Sequence, residues 1–148
     1  MDAVAEREGL MRRPVIMLAA LLGVVGGLAA TPAGAARDQS VGIFRNPKNS
    51  VHIRIHPCGQ SMCGTVVWAN EKAQRDAREG GTPNLVGTEL FKGFKRIDAQ
   101  RWKGRVFVPD INKTFSGTVT VEDQNTLTGR GCLFAGIGCK SQSWTRVD

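Results

Sequence analysis

From Val41 to the C-terminus, apolar and polar residues alternate with a period of two, the pattern of strands that bury one face and wet the other. In Val51-His52-Ile53-Arg54-Ile55-His56 the aliphatic residues share one side. Phe115-Ser116-Gly117-Thr118-Val119-Thr120-Val121 repeats the pattern, and residues 102–108 repeat it less regularly. Runs of this kind predict eight strands, over 41–45, 51–56, 63–69, 89–97, 102–108, 113–122, 126–133 and 139–147. Turn-prone clusters separate them: Asn46-Pro47-Lys48-Asn49, Asp98-Ala99-Gln100, Pro109-Asp110-Ile111-Asn112, Asp123-Gln124-Asn125 and two short segments bracketed by cysteines. Short connections make sequential neighbours antiparallel, so the order is a meander.

The connection over 70–88 is longer. It opens with Glu71-Lys72-Ala73-Gln74-Arg75-Asp76-Ala77-Arg78-Glu79, whose helix formers and Glu71/Arg75 spacing predict a short polar helix, and it breaks at Gly80-Gly81 and Pro83. A connection of this length is either a functional lid or a solvated excursion. Eight sequential strands left flat would expose two edges, and closure removes them. The fold expected is therefore all-β, an eight-stranded antiparallel up-and-down barrel with a long loop or short helix after the third strand. A barrel of this strand number is either filled by side chains or holds one small ligand.

The N-terminus is of another kind. Residues 14–36 carry no charge, and residues 15–30 are almost continuously apolar. Arg12 and Arg13 precede this run and Ala33-Gly34-Ala35-Ala36 follows it, the layout of a secretory signal peptide cut after Ala35 or Ala36. Residues 1–36 are thus expected to be removed and residues 37–148 to form a single barrel domain. Met11 stands directly before the arginines, so residues 1–10 read as an extension ahead of the true start. Removing 36 of 148 residues leaves 112, and because the leader holds three basic and three acidic residues, the whole net charge of +7 stays on the mature chain. The expected location is the periplasm or the medium, with no membrane span left after cleavage.

All four cysteines, Cys58, Cys63, Cys132 and Cys139, lie in the mature part, and an even count in a small exported domain points to two disulfides. Three connectivities are possible. Cys58 with Cys63 and Cys132 with Cys139 would close loops of six and eight residues, each worth about 2–2.5 kcal/mol in chain entropy. A zinc site built from all four is the competing arrangement; the wide second spacing and the oxidising compartment oppose it.

Gly42-Ile43-Phe44, Val51-His52-Ile53-Arg54-Ile55-His56-Pro57-Cys58-Gly59, Cys63-Gly64-Thr65-Val66-Val67-Trp68 and the ending from Arg130-Gly131-Cys132-Leu133 through Cys139 to Val147 resemble the bacterial exported "domain of unknown function 2147" family. That resemblance implies a compartment and a fold more than an activity. A weaker resemblance is to lipocalins and their calycin relatives, which begin with Gly-x-Trp and pack a late Arg across that Trp. Gly42, Phe44 and Arg146 take the corresponding places, which implies a structural role in closing the barrel.

No nucleophile elbow, zinc-binding helix or phosphate-cradling glycine loop is present, so no catalytic residue, metal ligand or cofactor is expected. His52 and His56, the only histidines, would stand roughly 14 Å apart along one strand, too far to share a metal. Asp98, Asp110, Glu122 and Asp123 fall at turns, where capping accounts for them. The basic excess crowds into Lys92, Lys95, Arg96, Arg101, Lys103 and Arg105, a candidate patch for lipid phosphates or acidic polysaccharide; the alternative is an ordinary solvated face. An exported chain without Tyr or an interleaved stacking pattern is not expected to bind nucleic acid. The segment Leu133-Phe134-Ala135-Gly136-Ile137-Gly138 is unusually apolar and would either rim an open mouth or plug the barrel. Trp68, Trp102 and Trp144 all fall on strands. The leading expectation is a non-enzymatic barrel binding a small apolar or amphipathic, lipid-like envelope molecule against Phe91, Phe94, Trp102, Val106, Phe115 and Val119. The rival is a filled barrel that acts through its basic face.

Overall fold

In the computed structural model, which describes residues 38–134 and 137–148, the alternating runs become eight strands that pair in sequence order and close on themselves. They are β1 (Gly42–Arg45), β2 (Val51–Cys58), β3 (Ser61–Ala69), β4 (Glu89–Arg96), β5 (Arg101–Val108), β6 (Lys113–Val121), β7 (Thr126–Phe134) and β8 (Ile137–Arg146). Helix α1 (Glu71–Glu79) follows β3, a single 3-10 turn (Pro109–Ile111) joins β5 to β6, and every ladder is antiparallel. The expected signal peptide lies outside the described residues. No described helix is long and apolar enough to cross a membrane.

The first cysteine segment is more regular than the loop expected of it. β2 runs on to Cys58 and β3 begins at Ser61, leaving Gly59-Gln60 as a two-residue turn with Gly59 at φ 64°. A tight hairpin needs that left-handed conformation at its first central residue, and glycine adopts it without a steric penalty. Cys58 and Cys63 are bonded to each other, as are Cys132 and Cys139, so the four sulfurs form two local disulfides and no thiolate site.

Alternation carries Phe44, Ile53, Val66 and Leu127 fully inside, where they meet Ile55, Met62, Phe91, Phe94, Trp102, Val119 and Trp144. The rings fit because glycines face them. A Cβ on Gly104 would lie 2.7 Å from the Phe94 ring, and one on Gly64 would lie 3.0 Å from Phe91, so the β4 rings lie over glycines of the two adjacent strands, β5 and β3.

One end of the barrel is tied shut. β1 and β8 meet at Phe44↔Arg146 and Arg45↔Thr145, and the Arg146 guanidinium lies 4.5 Å from the centre of the Phe44 ring. From there Arg146 donates to the carbonyls of Gln39 (2.6 Å), Val41 (2.9 Å) and Gln124 (2.8 Å), joining the segment before β1 to the β6–β7 turn. Asp148 accepts from the Ile43 amide at 2.9 Å and pairs with Arg146 at 3.2 Å. The Ile43 hydrogen bond, reinforced by Arg146, holds the Asp148 carboxyl below the usual carboxylate range. Gly42 is required by space: its Cβ would stand 1.9 Å from Arg146 Nη1.

The opposite end carries the long connection. Asn70 caps α1 by accepting from the Ala73 amide at 2.8 Å, and Lys72–Asp76 and Glu71–Arg75 pairs lie along its wet face. Ala77 and Leu85 enter the core, and the Thr82 hydroxyl donates to the Pro109 carbonyl at 3.2 Å. The connection is a packed cover on the β3–β5 side, held by buried contacts.

Candidate binding surface

The interior leaves little room. A void among the inward side chains, lined by Ser40, Ile55, Met62, Cys63, Phe91, Phe94, Trp102, Val119 and Leu127, measures about 20 Å³. One water needs roughly 10–15 Å³, whereas small-molecule sites run to about 300–1,000 Å³. Of the six wall residues expected from the sequence, Phe91, Phe94, Trp102 and Val119 border this void and fill the space around it, while Val106 and Phe115 are half-buried and do not line it. Trp102 Nε1 is buried and has no hydrogen-bond partner, the one such side-chain atom among the described residues.

The outer face gathers charge instead. Register aligns two rows across the sheet. One runs Lys95↔Lys103, Lys103↔Thr118, Thr118↔Arg130 and Arg130↔Ser141. The other runs Lys92↔Arg105, Arg105↔Ser116, Ser116↔Cys132 and Cys132↔Cys139. A groove of about 500 Å³ lies over these rows, lined by Lys103, Ser116, Gly117, Thr118, Arg130, Cys132 and Leu133. No Asp or Glu occurs anywhere in β5, β6, β7 or β8. Among the described residues, none of Lys92, Lys95, Lys103, Arg105 and Arg130 takes part in an ion pair.

Of the expected basic patch, Arg96 stands on the inner side and Arg101 is ion-paired. Gly93 at φ 56° sits where the β4–β5 register shifts, so Phe91 and Phe94, three apart, both point inward. Arg96 follows Phe94 to the inner side, lies 4.4 Å from the centre of the Trp102 ring and binds Asp38 at 2.9 Å. Burial works against the Asp38 carboxylate, but hydrogen bonds from Ser40 and the charge of Arg96 outweigh it and keep its pKa below the ordinary value. Arg101 is held by Asp98 at 2.5 Å at the β4–β5 turn. Conversely, Arg130 joins the patch although it lies far from the other cations in sequence. Its outward parity with Thr126 and Thr128 is the sequence signal that could have found it.

The described residues of the apolar segment between the second pair of cysteines stand in water. Its central residues, 135 and 136, lie outside the described residues, while Leu133, Phe134 and Ile137 are 60%, 80% and 75% exposed. β6 follows β7 only as far as Ser116↔Cys132, and β1 meets β8 only near its C-terminal end, so the distal part of β7–β8 extends as a two-stranded ribbon.

The remaining polar candidates have local partners. His52 Nε2 is 2.7 Å from Asn49 Oδ1, with its ring against the half-exposed Trp68, and His56 Nε2 is 3.1 Å from Thr65 Oγ1. Asp98 and Asp123 cap their own turns by accepting from the amides of Gln100 and Asn125. No group of His, Cys, Asp and Glu among the described residues is arranged to hold a metal.

Strand count, order, closure and the Arg146–Phe44 contact define a lipocalin-like barrel. Among solved structures the chain is similar to protein HP1028 from Helicobacter pylori, described as belonging to the lipocalin family, with a TM-score of 0.60 and 12% identity over 74% of this chain and 83% of that one. At that identity the likeness concerns the fold. By its sequence the chain belongs to the family described as "Uncharacterized protein conserved in bacteria (DUF2147)", which matches residues 42–146. No curated protein matches it. The disulfides and this bacterial family fit an extracytoplasmic location.

Proposed function

We propose that this protein is a non-enzymatic periplasmic barrel, delivered by cleavage of residues 1–36, that acts from its outer surface by holding anionic envelope material against Lys92, Lys95, Lys103, Arg105 and Arg130. The observation that carries this reading is a row of like charges left without carboxylates. Lys95 stands directly opposite Lys103, and Lys92 opposite Arg105, on strands where like-charge neighbours cost stability. An external anion offsets that cost, and the hydroxyls of Ser116 and Thr118 between the cations supply further donors. The lipocalin-like fold supports a small-molecule role, and the filled interior moves that role from the lumen to the groove outside.

The test is binding of the mature protein to dextran sulfate as salt is varied. Binding that weakens steeply with salt and is lost on combining Lys95→Glu, Lys103→Glu and Arg130→Glu is the expected result. Unchanged binding by that triple variant overturns the proposal.

A further inference from the structure

The ribbon formed by β7 and β8 combines two features that the basic face alone does not require. Near its tip it presents Leu133, Phe134 and Ile137 to solvent, with Phe134 and Ile137 opposite each other on one face and Leu133 on the other. Isolated exposed hydrophobics are common, but such a group at the end of one projecting element marks a surface that leaves water on binding. The Cys132–Cys139 disulfide, two residues behind Phe134↔Ile137 on each strand, staples the two strands just below the tip.

The second feature is where the charges stand relative to that tip. Cys132 and Arg130 precede Phe134 by two and four residues on the same face of β7, which at about 3.4 Å per residue sets their rows roughly 7 and 14 Å behind it. The nearer row carries Arg105 and Lys92, and the farther carries Arg130, Lys103 and Lys95. Interfacial segments bury their apolar face about 5–10 Å into the boundary between headgroups and acyl chains. A ribbon entering tip first to that depth brings the nearer row to the headgroup phosphates and leaves the farther row in the negative potential just outside. A soluble acidic polymer would match the cations but would have no use for the apolar tip. A second copy of the chain would match the tip but would bring the two cationic rows together.

We infer that the β7–β8 ribbon docks the protein on an anionic membrane surface, Leu133, Phe134 and Ile137 entering the interface while Arg105, Lys92, Arg130, Lys103 and Lys95 meet lipid phosphates. This inference rests on the basic face proposed above and adds the partner. The experiment is sedimentation with phosphatidylglycerol-containing vesicles and, in parallel, with vesicles of phosphatidylcholine alone. The mature protein binds the anionic vesicles, and the variant combining Leu133→Ser, Phe134→Ser and Ile137→Ser binds them at least tenfold more weakly, a change that needs only about 1.4 kcal/mol. That variant keeps its salt-dependent binding to dextran sulfate, since the basic rows are intact. A Phe134→Trp variant, which leaves the tip apolar, shows a blue-shifted emission on adding anionic vesicles. Vesicle binding by the triple serine variant equal to that of the unaltered protein overturns the inference and leaves the basic-face reading standing. Loss of both vesicle and dextran sulfate binding in the unaltered protein overturns both. A dimer that becomes monomeric on the triple change, without vesicle binding, assigns the tip to a second copy and also overturns the inference.

Discussion

The hairpins β2–β3 and β7–β8 are each stapled by a disulfide across a short turn, yet they sit in opposite relations to the core. β2–β3 is paired with β1 from His52 to Ile55 and with β4 from Met62 to Thr65; it buries Met62 and Cys63 and offers water the polar turn Gly59-Gln60. β7–β8 outruns its neighbours and exposes Leu133, Phe134 and Ile137. The same covalent device therefore serves two purposes. In the first hairpin it supports a small core whose aromatic rings depend on close packing. In the second it joins β7 to β8 beside the exposed Leu133, Phe134 and Ile137, and under the docking inferred above strands joined in advance lower the ordering cost.

Substitutions that separate the two hairpins test this contrast, and the largest effect belongs to the first. Met62→Ala, in the wall of the filled interior, lowers unfolding free energy by about 2–5 kcal/mol in chemical denaturation. A loss near zero would mean that the interior is loosely packed and has room for a ligand after all. Replacing Cys58 and Cys63 by serine costs about 2 kcal/mol or more, because the buried Cys63 contacts go with the bond. Replacing Cys132 and Cys139 costs about the same in chain entropy, but amide exchange then quickens first in the ribbon. Equal exchange throughout the barrel would contradict the division.

The closed end adds a pH dependence. The folded-state pKa of Asp148 is depressed, so its contribution to stability is present above the unfolded carboxylate pKa and is lost as pH falls through the folded value. Acid therefore loosens the seal between Ile43, Arg146 and the C-terminus, and Asp148→Asn removes that part of the acid sensitivity. Identical acid unfolding of the two proteins would show that the seal contributes nothing. The smallest expected effect is that of Phe134→Ser, which changes stability by less than about 0.5 kcal/mol because the ring is already in water. A larger loss would mean that the tip packs on the barrel.

Alternation made the barrel legible in the sequence, because a strand with one buried face must repeat every second residue. Grouping cations by their nearness along the chain, without regard to face, misplaced Arg96. A bulge at Gly93 adds one residue to β4, and one residue exchanges the two faces of everything after it. Nothing in Phe91-Lys92-Gly93-Phe94 announces the bulge except the odd spacing of the two rings. Arg130 escaped notice for a complementary reason: the cationic rows run across strands, and register, which local sequence does not encode, brings residues 35 positions apart in number from Lys95 to Arg130 onto one line. The wall residues were legible as apolar strand positions, but whether inward residues enclose a space depends on the glycines beside them. Gly64 and Gly104, on the strands beside β4, leave the space that the Phe91 and Phe94 rings occupy.

Whether ligands meet the outside of this barrel or its interior is decided most directly by backbone amide shifts of the mature protein titrated with phosphatidylglycerol-containing bicelles. Perturbations confined to Leu133, Phe134, Ile137 and the rows through Lys103, Arg105 and Arg130 are the predicted result. Perturbations centred on Phe91, Phe94, Trp102 and Val119, with the outer rows unmoved, would contradict it.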